Sequence, residues 1–249
     1  MSRILVYTRT TGYRHASIPA GIEAFEKLGQ DHGFAVEASE GVHSFRAGRL
    51  ERYSAIVFLS TSGAVLDEPG RAALTHYRTP GGGWLGVHGA STTEYEWPWF
   101  EGLVGAWFDR HPEIQPAVVD VEDRDHPATE HLDERWEHTD EWYAFRSNPR
   151  ERAEADKPRV LLTVDEATYR GGTMGADHPL AWCREYDGGR SFYTALGHAE
   201  ETYQDPEFLA HLLGALRWLG VGTAARDEDG DTYEAGDAAY EAGDEQAGR

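Results

Sequence analysis

The sequence predicts an α/β fold built on a doubly wound, mostly parallel sheet. Short, continuous apolar runs recur along the first 225 residues, and such runs are typical of strands that a parallel sheet buries on both faces. Stretches with helical apolar spacing fall between these runs, and strand–helix alternation is the pattern of doubly wound domains. We therefore expect one domain over residues 1–225, long enough to bury a substantial core.

The predicted strands are apolar runs that follow one another along the chain. They lie at residues 4–7, 55–59, 84–87, 160–164 and 191–196. The first four are continuous apolar runs, so each of these is expected to be buried on both faces of the sheet, and 191–196 is a further predicted strand. We expect the run at 160–164 to belong to the same parallel sheet as the others.

Three predicted helices are defined by a start signal and an apolar stripe. The first follows Ser17 as its cap, the second follows Asp67-Glu68-Pro69, and the last begins at Asp205-Pro206-Glu207, with an acidic first turn and proline at the first helical position. Their stripes are Ile18, Ile22, Phe25 and Leu28; Ala73, Leu74 and Tyr77; and Phe208, Leu212, Leu216 and Leu219.

Two stretches depart from the alternating pattern. Residues 91–158 are rich in Trp, His and Pro with weak periodicity, and we expect them to form an excursion that decorates the sheet without making a second domain. Residues 226–249 hold nine acidic residues and two arginines, and Tyr-Glu-Ala-Gly-Asp occurs there twice. Because this composition offers little to bury, we expect a disordered acidic tail.

The charge of the chain argues against two classes of partner. It carries 44 acidic against 23 basic residues, a net charge of −21, so it can hardly assemble the basic face that nucleic acids or anionic membranes require. Residues 1–225 alone hold 35 acidic and 21 basic residues. Only Lys27 and Lys157 are lysines, which favours a halophilic protein; arginine-rich codon usage in an otherwise ordinary organism is the alternative.

Further features of the sequence bear on location and on cysteine chemistry. No run reaches the roughly 18 consecutive apolar residues of a membrane span. The apolar run at residues 4–7 is too short for a signal peptide and has polar residues beside it. The lone Cys183 excludes an internal disulfide and a cysteine-based zinc site, and its apolar context indicates a packed thiol. We therefore expect a soluble, cytoplasmic protein.

Three histidines follow predicted strands. His15, His88 and His198 all stand where a strand gives way to a loop, and doubly wound sheets bind ligands beyond the carboxyl ends of their strands. Gly86-Val87-His88-Gly89-Ala90 has the shape of a nucleophile elbow with histidine at its centre. An imidazole there acts as a general base or a metal ligand, so we expect the three histidines to share one pocket.

Other candidate site residues lie in the predicted excursion or close after it. Asp140 and Glu141 are adjacent, so in an extended chain they point opposite ways and at most one faces the pocket. His111 and His178 each precede a proline, which favours an extended backbone. The aromatic candidates are Trp97 and Trp99, which offer flat faces for stacking on sugars or for packing the excursion onto the sheet.

Six stretches resemble one known family when they are taken together. They are 11–15 (TGYRH), 81–88 (GGGWLGVH), 105–112 (GAWFDRHP), 140–143 (DEWY), 177–182 (DHPLAW) and 189–198 (GRSFYTALGH). They resemble the ThuA-like, or trehalose-utilisation, family of the class I glutamine amidotransferase-like superfamily, over roughly residues 3–220, and imply a flavodoxin-like sheet. Amidotransferases have cysteine at the elbow and His-x-Glu after the late strand. Here His88 replaces that cysteine while His198 and Glu200 keep the late pattern, which argues against glutaminase chemistry.

The resemblance implies processing of sugars, in particular 3-keto derivatives of disaccharides such as trehalose. It implies a small-molecule carbohydrate partner, no nucleotide cofactor and, for some members, a divalent metal; zinc or manganese would suit His15, His88 and His198. It leaves open whether the chain forms a homo-oligomer.

For the oxidised sugar that the resemblance implies, we expect an isomerase, lyase or hydrolase whose acid and base, or metal ligands, are His88 and His198. The further catalytic candidates are Glu200, Asp140 and Glu141, and the substrate-binding candidates are Tyr13, Arg14, His15, Trp97, Trp99, His111 and His178. Two alternatives remain at this stage: a non-catalytic sugar-binding module that retains the pocket, and a metal-dependent hydrolase of small amides.

Overall fold

One sheet of nine strands runs through the protein, whose computed structural model describes residues 1–222. The strands of this part of the chain are β1 (Arg3–Tyr7), β2 (Ala35–Ser39), β3 (Ala55–Leu59), β4 (Ser62–Gly63), β5 (Gly83–Val87), β6 (Thr92–Thr93), β7 (Phe108–Arg110), β8 (Gln115–Val121), β9 (Arg135–Asp140), β10 (Ala144–Phe145), β11 (Arg159–Val164), β12 (Pro179–Tyr186) and β13 (Gly189–Thr194). The α-helices are α1 (Ile18–His32), α2 (Glu68–Arg78), α3 (Pro98–Val104) and α4 (Pro206–Trp218). The tail expected at 226–249 lies outside the described residues.

The sheet is mixed, with the strand order β2-β1-β3-β5-β13-β12-β11-β8-β9. The five strands from β2 to β13 pair in parallel, and every pairing from β13 to β9 is antiparallel. We call these two parts the parallel half and the antiparallel half. The predicted α/β class is confirmed, but the expectation of a mostly parallel, doubly wound sheet holds only for the parallel half.

The predicted strand at 160–164 runs in a different direction from the one that the sequence pattern suggests. It is part of β11, which is buried but runs antiparallel to both β12 and β8. A continuous apolar run reports burial on both faces and carries no information about the direction of the neighbouring strands. The expectation that this run belongs to the parallel sheet is therefore wrong.

The expected excursion at 91–158 supplies strands to the main sheet. Its strands β8 and β9 extend the antiparallel half, with β9 at the edge of the sheet. Two small sheets lie beside it, one formed by β4 and β6 and the other by β7 and β10. Members of both small sheets line the cavity described below.

The helices begin close to where the sequence predicts, with one difference in capping. Asp67 and Asp205 accept hydrogen bonds from Gly70 N and Glu207 N and cap α2 and α4. Ser17 makes no such bond; its hydroxyl donates to the carbonyl of Gly197 at 3.4 Å and ties the start of α1 to the loop after β13. Within residues 1–222, none of the helices has the length and apolar character needed to cross a membrane.

Candidate functional site

Four side chains from four separate loops meet beyond the ends of the strands. His15 comes from the β1–α1 loop, His88 directly follows β5, His198 follows β13, and Glu141 directly follows β9. One nitrogen or oxygen atom of each lies within 4.8 Å of the corresponding atoms of the other three. The structure thus brings together the three histidines singled out by the sequence and adds one carboxylate, and we call this set the His/Glu cluster.

The backbone around His88 is shaped to present its ring to the cluster. His88 has a φ of +48°, and its carbonyl accepts a hydrogen bond from the Tyr193 hydroxyl at 2.9 Å. The next residue must be small, because a Cβ on Gly89 would lie 3.2 Å from both His15 Cε1 and Ser60 Cα. The glycine that made this segment look like an elbow therefore allows close approach of two loops.

The tautomer of His88 follows from its hydrogen bonds. Its Nδ1 lies 2.7 Å from the carbonyl oxygen of Ala195, so Nδ1 carries the proton and donates. In the neutral ring, Nε2 then has a free lone pair, and this atom lies 3.2 Å from His198 Nδ1 and 3.5 Å from Glu141 Oε2. A histidine whose other nitrogen donates to a backbone carbonyl is the usual arrangement of a metal ligand.

Glu141 is the negative centre of the cluster. Its Oε2 lies 3.0 Å from His198 Nδ1, and its Oε1 lies 3.0 Å from His111 Nδ1. Burial opposes the charge, but the hydrogen bond from His198 and the attraction of the surrounding imidazoles outweigh it and hold the pKa of Glu141 well below its usual range. The same hydrogen bond raises the pKa of His198. Glu141 is therefore a carboxylate at neutral pH.

His15 remains neutral in the same surroundings. Burial, helped by the nearby His88 and His198, lowers the pKa of His15 to about 3. Its Nε2 lies 3.5 Å from the Tyr143 hydroxyl, and its buried Nδ1 has no hydrogen-bond partner among residues 1–222. A neutral imidazole with an unsatisfied buried nitrogen is suited to bind a cation.

Asp140 supports the cluster without joining it. It is fully buried, and its carboxylate accepts hydrogen bonds from three backbone N–H groups: Glu141 (2.8 Å), Gly197 (2.8 Å) and His198 (3.1 Å). These bonds fix the loop after β13 against the end of β9. As expected for adjacent residues, only Glu141 of this pair faces the cavity.

A cavity of about 460 Å³ adjoins the His/Glu cluster, and His15 and Glu141 belong to both. The other lining residues are Gly12, Tyr13, Ser62, Gly63, Thr92, Tyr95, Phe108, His111 and Tyr143. Of these, Tyr13 is 70% exposed. Four aromatic side chains line the cavity, and its polar groups are the Glu141 carboxylate, two imidazoles and the hydroxyls of Ser62 and Thr92.

Tyr143 is one of the cavity residues that the sequence analysis did not name as a candidate, as are Tyr95 and Phe108. Its ring lies between those of His88 and Phe108, with centroids 4.3 Å from each. It stands two positions after Glu141, and residues two apart in an extended chain share one face. That spacing within the stretch DEWY was the available signal.

Four of the other predicted residues do not line the cavity. Arg14 pairs with Glu40 at 2.6 Å on the surface. Glu200 is exposed at the start of a 3-10 turn. Trp97 and Trp99 stack on each other at 4.7 Å, and Trp99 Nε1 donates to Asp187 at 2.9 Å. These two tryptophans therefore make packing contacts and do not offer their faces to a sugar in the cavity.

His178 and Cys183 also lie away from the cavity wall. His178 is buried, with its Nδ1 2.9 Å from Glu166 Oε1 and its Nε2 2.8 Å from the carbonyl oxygen of Tyr143. It thus holds the backbone carbonyl of Tyr143 in place through this contact. Cys183 is buried, as expected for a packed thiol, and this burial raises its pKa to about 12.

The His/Glu cluster suits a divalent first-row metal ion. Three imidazole nitrogens and one carboxylate oxygen are the ligands that zinc and manganese accept in proteins. Two observations support the fit: the tautomer of His88 frees its Nε2, and His15 has a buried nitrogen without a partner among the described residues. Asp140 also holds the backbone of two members of the cluster, as outer-shell groups do in metal sites.

Comparison with known proteins gives a family and several related folds. Residues 3–219 match the family model ThuA, described as trehalose utilisation. No curated protein matches this chain in sequence. Solved ThuA-like proteins from Bacteroides uniformis ATCC 8492 and Parabacteroides merdae ATCC 43184 share its fold, with TM-scores of 0.74 and 0.72. The first is 24% identical and the match covers 92% of this chain and 94% of that one; for the second the values are 21%, 89% and 90%.

A more distant match is a cytoplasmic protein from Salmonella typhimurium LT2. It is 12% identical, the match covers 88% of this chain and 99% of that one, and the TM-score is 0.63. At these identities, the solved structures show the fold alone.

Proposed function

This chain belongs to the ThuA, or trehalose utilisation, family, and on that premise we propose that it is a metal-dependent enzyme that processes oxidised carbohydrates. The proposed substrates are 3-keto disaccharides or glycosides such as 3-keto-trehalose. The observation that carries the proposal is the His/Glu cluster at the wall of an aromatic cavity.

The cavity is suited to a small sugar. Its volume of about 460 Å³ lies within the range of sites that enclose small molecules, about 300–1,000 Å³. The rings of Tyr13, Tyr95, Phe108 and Tyr143 offer apolar faces for the C–H surfaces of a sugar ring. The ionisable groups of the wall belong to the cluster or, like His111, contact it, so a polarised group of the substrate is expected to face it.

The residues that would hold the ion are His15, His88, Glu141 and His198. A divalent ion bound there supplies a Lewis acid that draws electron density from a carbonyl oxygen. His88 is fully buried and its Nε2 faces the other donors, so we assign it as a ligand and not as a base that meets the substrate. The sequence left two roles open for His88 and His198, acid and base or metal ligands. We propose that both are metal ligands.

A keto group explains why a proton-transfer enzyme fits this site. The carbonyl acidifies the C–H bond on the neighbouring carbon, so a base in the cavity can remove that proton and start an isomerisation or an elimination. An unoxidised sugar has no such acidic carbon. The proposal therefore requires that trehalose itself is not a substrate.

The test compares metal content and turnover in the same preparations. Purified protein is analysed by inductively coupled plasma mass spectrometry and assayed with 3-keto-trehalose and with trehalose. We expect bound zinc or manganese, turnover of the keto sugar only, and loss of both metal and turnover in His88→Asn. His76→Asn, a change at an exposed histidine of α2, is the control and should behave as wild type.

Two results would contradict the proposal. Binding of 3-keto-trehalose without turnover by metal-loaded protein would favour the non-catalytic sugar-binding module. Full turnover after removal of the metal, or in His88→Asn, would show that the cluster is not a catalytic metal site.

A further inference from the structure

His111 is an imidazole of the cavity wall that does not belong to the His/Glu cluster. It directly follows β7, its side chain is 39% exposed, and its ring stacks on that of Tyr143 with centroids 5.9 Å apart. It is therefore accessible to a substrate in the cavity, in contrast to the fully buried His88.

The surroundings of Nδ1 determine the tautomer of His111. This atom lies 3.0 Å from Glu141 Oε1 and 2.8 Å from the carbonyl oxygen of Pro112. Both oxygens are acceptors, so a bare nitrogen lone pair at this position would be repelled by each of them. The proton of the neutral ring is thus held on Nδ1, which donates to these two oxygens.

The other ring nitrogen is left free. In the neutral ring Nε2 must carry the lone pair, and no group within residues 1–222 forms a hydrogen bond to it. His88, by contrast, is fully buried, and its Nε2 faces the other members of the His/Glu cluster. His111 therefore has a basic atom that can reach a molecule in the cavity.

We propose that His111 is the catalytic base of this site, an inference that rests on the proposed function. Nε2 takes the proton from the carbon next to the keto group of a 3-keto glycoside. The electron pair of the broken C–H bond forms the C=C bond of an enediolate, and the carbonyl oxygen takes the negative charge. The hydroxyl proton on the neighbouring carbon passes to the former carbonyl oxygen. Nε2, which exchanges its proton with solvent, then gives a proton to the former carbonyl carbon, which leaves the keto group on the neighbouring carbon and completes an isomerisation.

Glu141 assists this step through its second oxygen. When Nε2 gains a proton, the ring becomes an imidazolium whose Nδ1–H already donates to Glu141 Oε1. A carboxylate in this position orients the base and stabilises its charged form, as in other carboxylate–histidine pairs. The Oε2 atom meanwhile faces His198 and His88, so one carboxylate serves both the cluster and the base.

The test uses a substitution that removes the base and keeps the hydrogen bond. In His111→Asn the side-chain N–H₂ group replaces Nδ1–H opposite Glu141, while the atom equivalent to Nε2 is lost. Wild type, His111→Asn and the control His76→Asn are loaded with the same metal and given 3-keto-trehalose in D₂O. Proton NMR follows both substrate consumption and deuterium incorporation next to the carbonyl, and mass spectrometry measures the bound metal.

We expect His111→Asn to keep its metal and to lose about 10²–10⁴-fold in the rate of consumption and deuterium incorporation, the usual effect of losing a general base. His76→Asn should match wild type in all three measurements. Unchanged rates in His111→Asn, beside an active wild type, would overturn the role of His111 alone. An inactive wild type that binds metal would instead overturn the proposed function, and the assignment of His111 with it.

A second measurement does not depend on activity. Long-range ¹H–¹⁵N spectra of protein labelled at histidine distinguish the two neutral tautomers, and the signals of His111 are assigned by their absence in His111→Asn. We expect the Nδ1–H form. The Nε2–H form would overturn the proposal even if the variant were inactive.

Discussion

The parallel and antiparallel halves of the sheet contribute different parts of the site. The parallel half supplies His15, His88 and His198 from loops that follow its strands. The antiparallel half and the small strands β7 and β10 supply Glu141 and His111, together with the aromatic rings of Phe108 and Tyr143. The histidines alone would form a neutral or repelling group, and it is the carboxylate that makes the site attractive to a cation.

The loop after β9 reaches the loop after β13 across several strands of the sheet. β9 is four strands away from β13, which in a flat sheet would place them about 19 Å apart, since neighbouring strands are roughly 4.8 Å apart. Asp140, at the end of β9, nevertheless accepts hydrogen bonds from the loop after β13. The loops beyond β9 and β13 therefore bridge the two halves of the sheet.

The largest effect is expected from deleting one donor on either side of the site. Glu141→Gln removes the donor of the antiparallel half, and His88→Asn removes one from the parallel half. Each should reduce metal affinity by more than the roughly 10–100-fold that loss of an outer-shell partner costs, and turnover of 3-keto-trehalose should fall with it. Calorimetric metal titration and initial rates measure the two effects. If Glu141→Gln retained full affinity, the parallel half alone would hold the ion.

The second-largest effect is expected from Asp140→Asn, which weakens the contact between the two halves. The amide has one oxygen for the three backbone N–H groups that the carboxylate serves, and its own N–H₂ would face at least one of them. We expect a loss of about 1–3 kcal/mol in the free energy of unfolding and a weaker affinity for metal, by about 10–100-fold. Urea titration and metal titration measure these changes. The exposed Asp133→Asn is the control, and equal losses there would contradict the role of Asp140.

Acid should weaken the same contact in wild type. Burial opposes the charge of Asp140, but the nearby His138 and the backbone N–H groups that donate to its carboxylate hold its pKa below the ordinary value of 3.8. A lowered pKa stabilises the fold above the unfolded value, and this contribution is lost as pH falls through the folded pKa. Urea unfolding measured between pH 6 and 3 should show stability falling below about pH 4, less steeply in Asp140→Asn. Parallel curves for the two proteins would contradict this assignment.

The smallest effect concerns two aromatic residues that the sequence treats alike. Tyr13 lines the cavity, whereas Trp99 packs on Trp97 and bonds to Asp187. Tyr13→Ala should raise KM for 3-keto-trehalose about 2–10-fold, the equivalent of an aromatic contact of roughly 0.5–1.5 kcal/mol, while Trp99→Ala leaves KM unchanged. Steady-state kinetics on both variants decides the matter. A raised KM only in Trp99→Ala would place the sugar elsewhere.

Much of the parallel half was predictable because its signals are local. The runs at 4–7, 55–59 and 84–87 are parts of β1, β3 and β5 of the structure. Aspartate caps at Asp67 and Asp205 also stand where the helices begin. Because parallel strands end at one edge of a sheet, the sequence alone was enough to predict that His88 and His198 lie near each other.

The antiparallel half was harder to predict for a specific reason. β9 alternates exposed and buried residues, but two of the buried ones are His138 and Asp140, so its pattern does not look like a strand with one apolar face. Those polar residues are tolerated inside because partners from distant segments satisfy them, as Gly197 and His198 do for Asp140. No local pattern records such partners.

The sequence by itself determined the α/β class, the loops that carry the three histidines and the family to which the motifs belong. Only the tertiary structure decided the direction of β11, the choice of Glu141 over Asp140 as the fourth member of the cluster, and the position of His111 beside it. The reason is physical: local patterns encode burial and helix ends, whereas the direction of a loop side chain depends on hydrogen bonds to residues far away in the chain. Glu141 and Asp140 are adjacent carboxylates in sequence, and their different partners alone give them different roles.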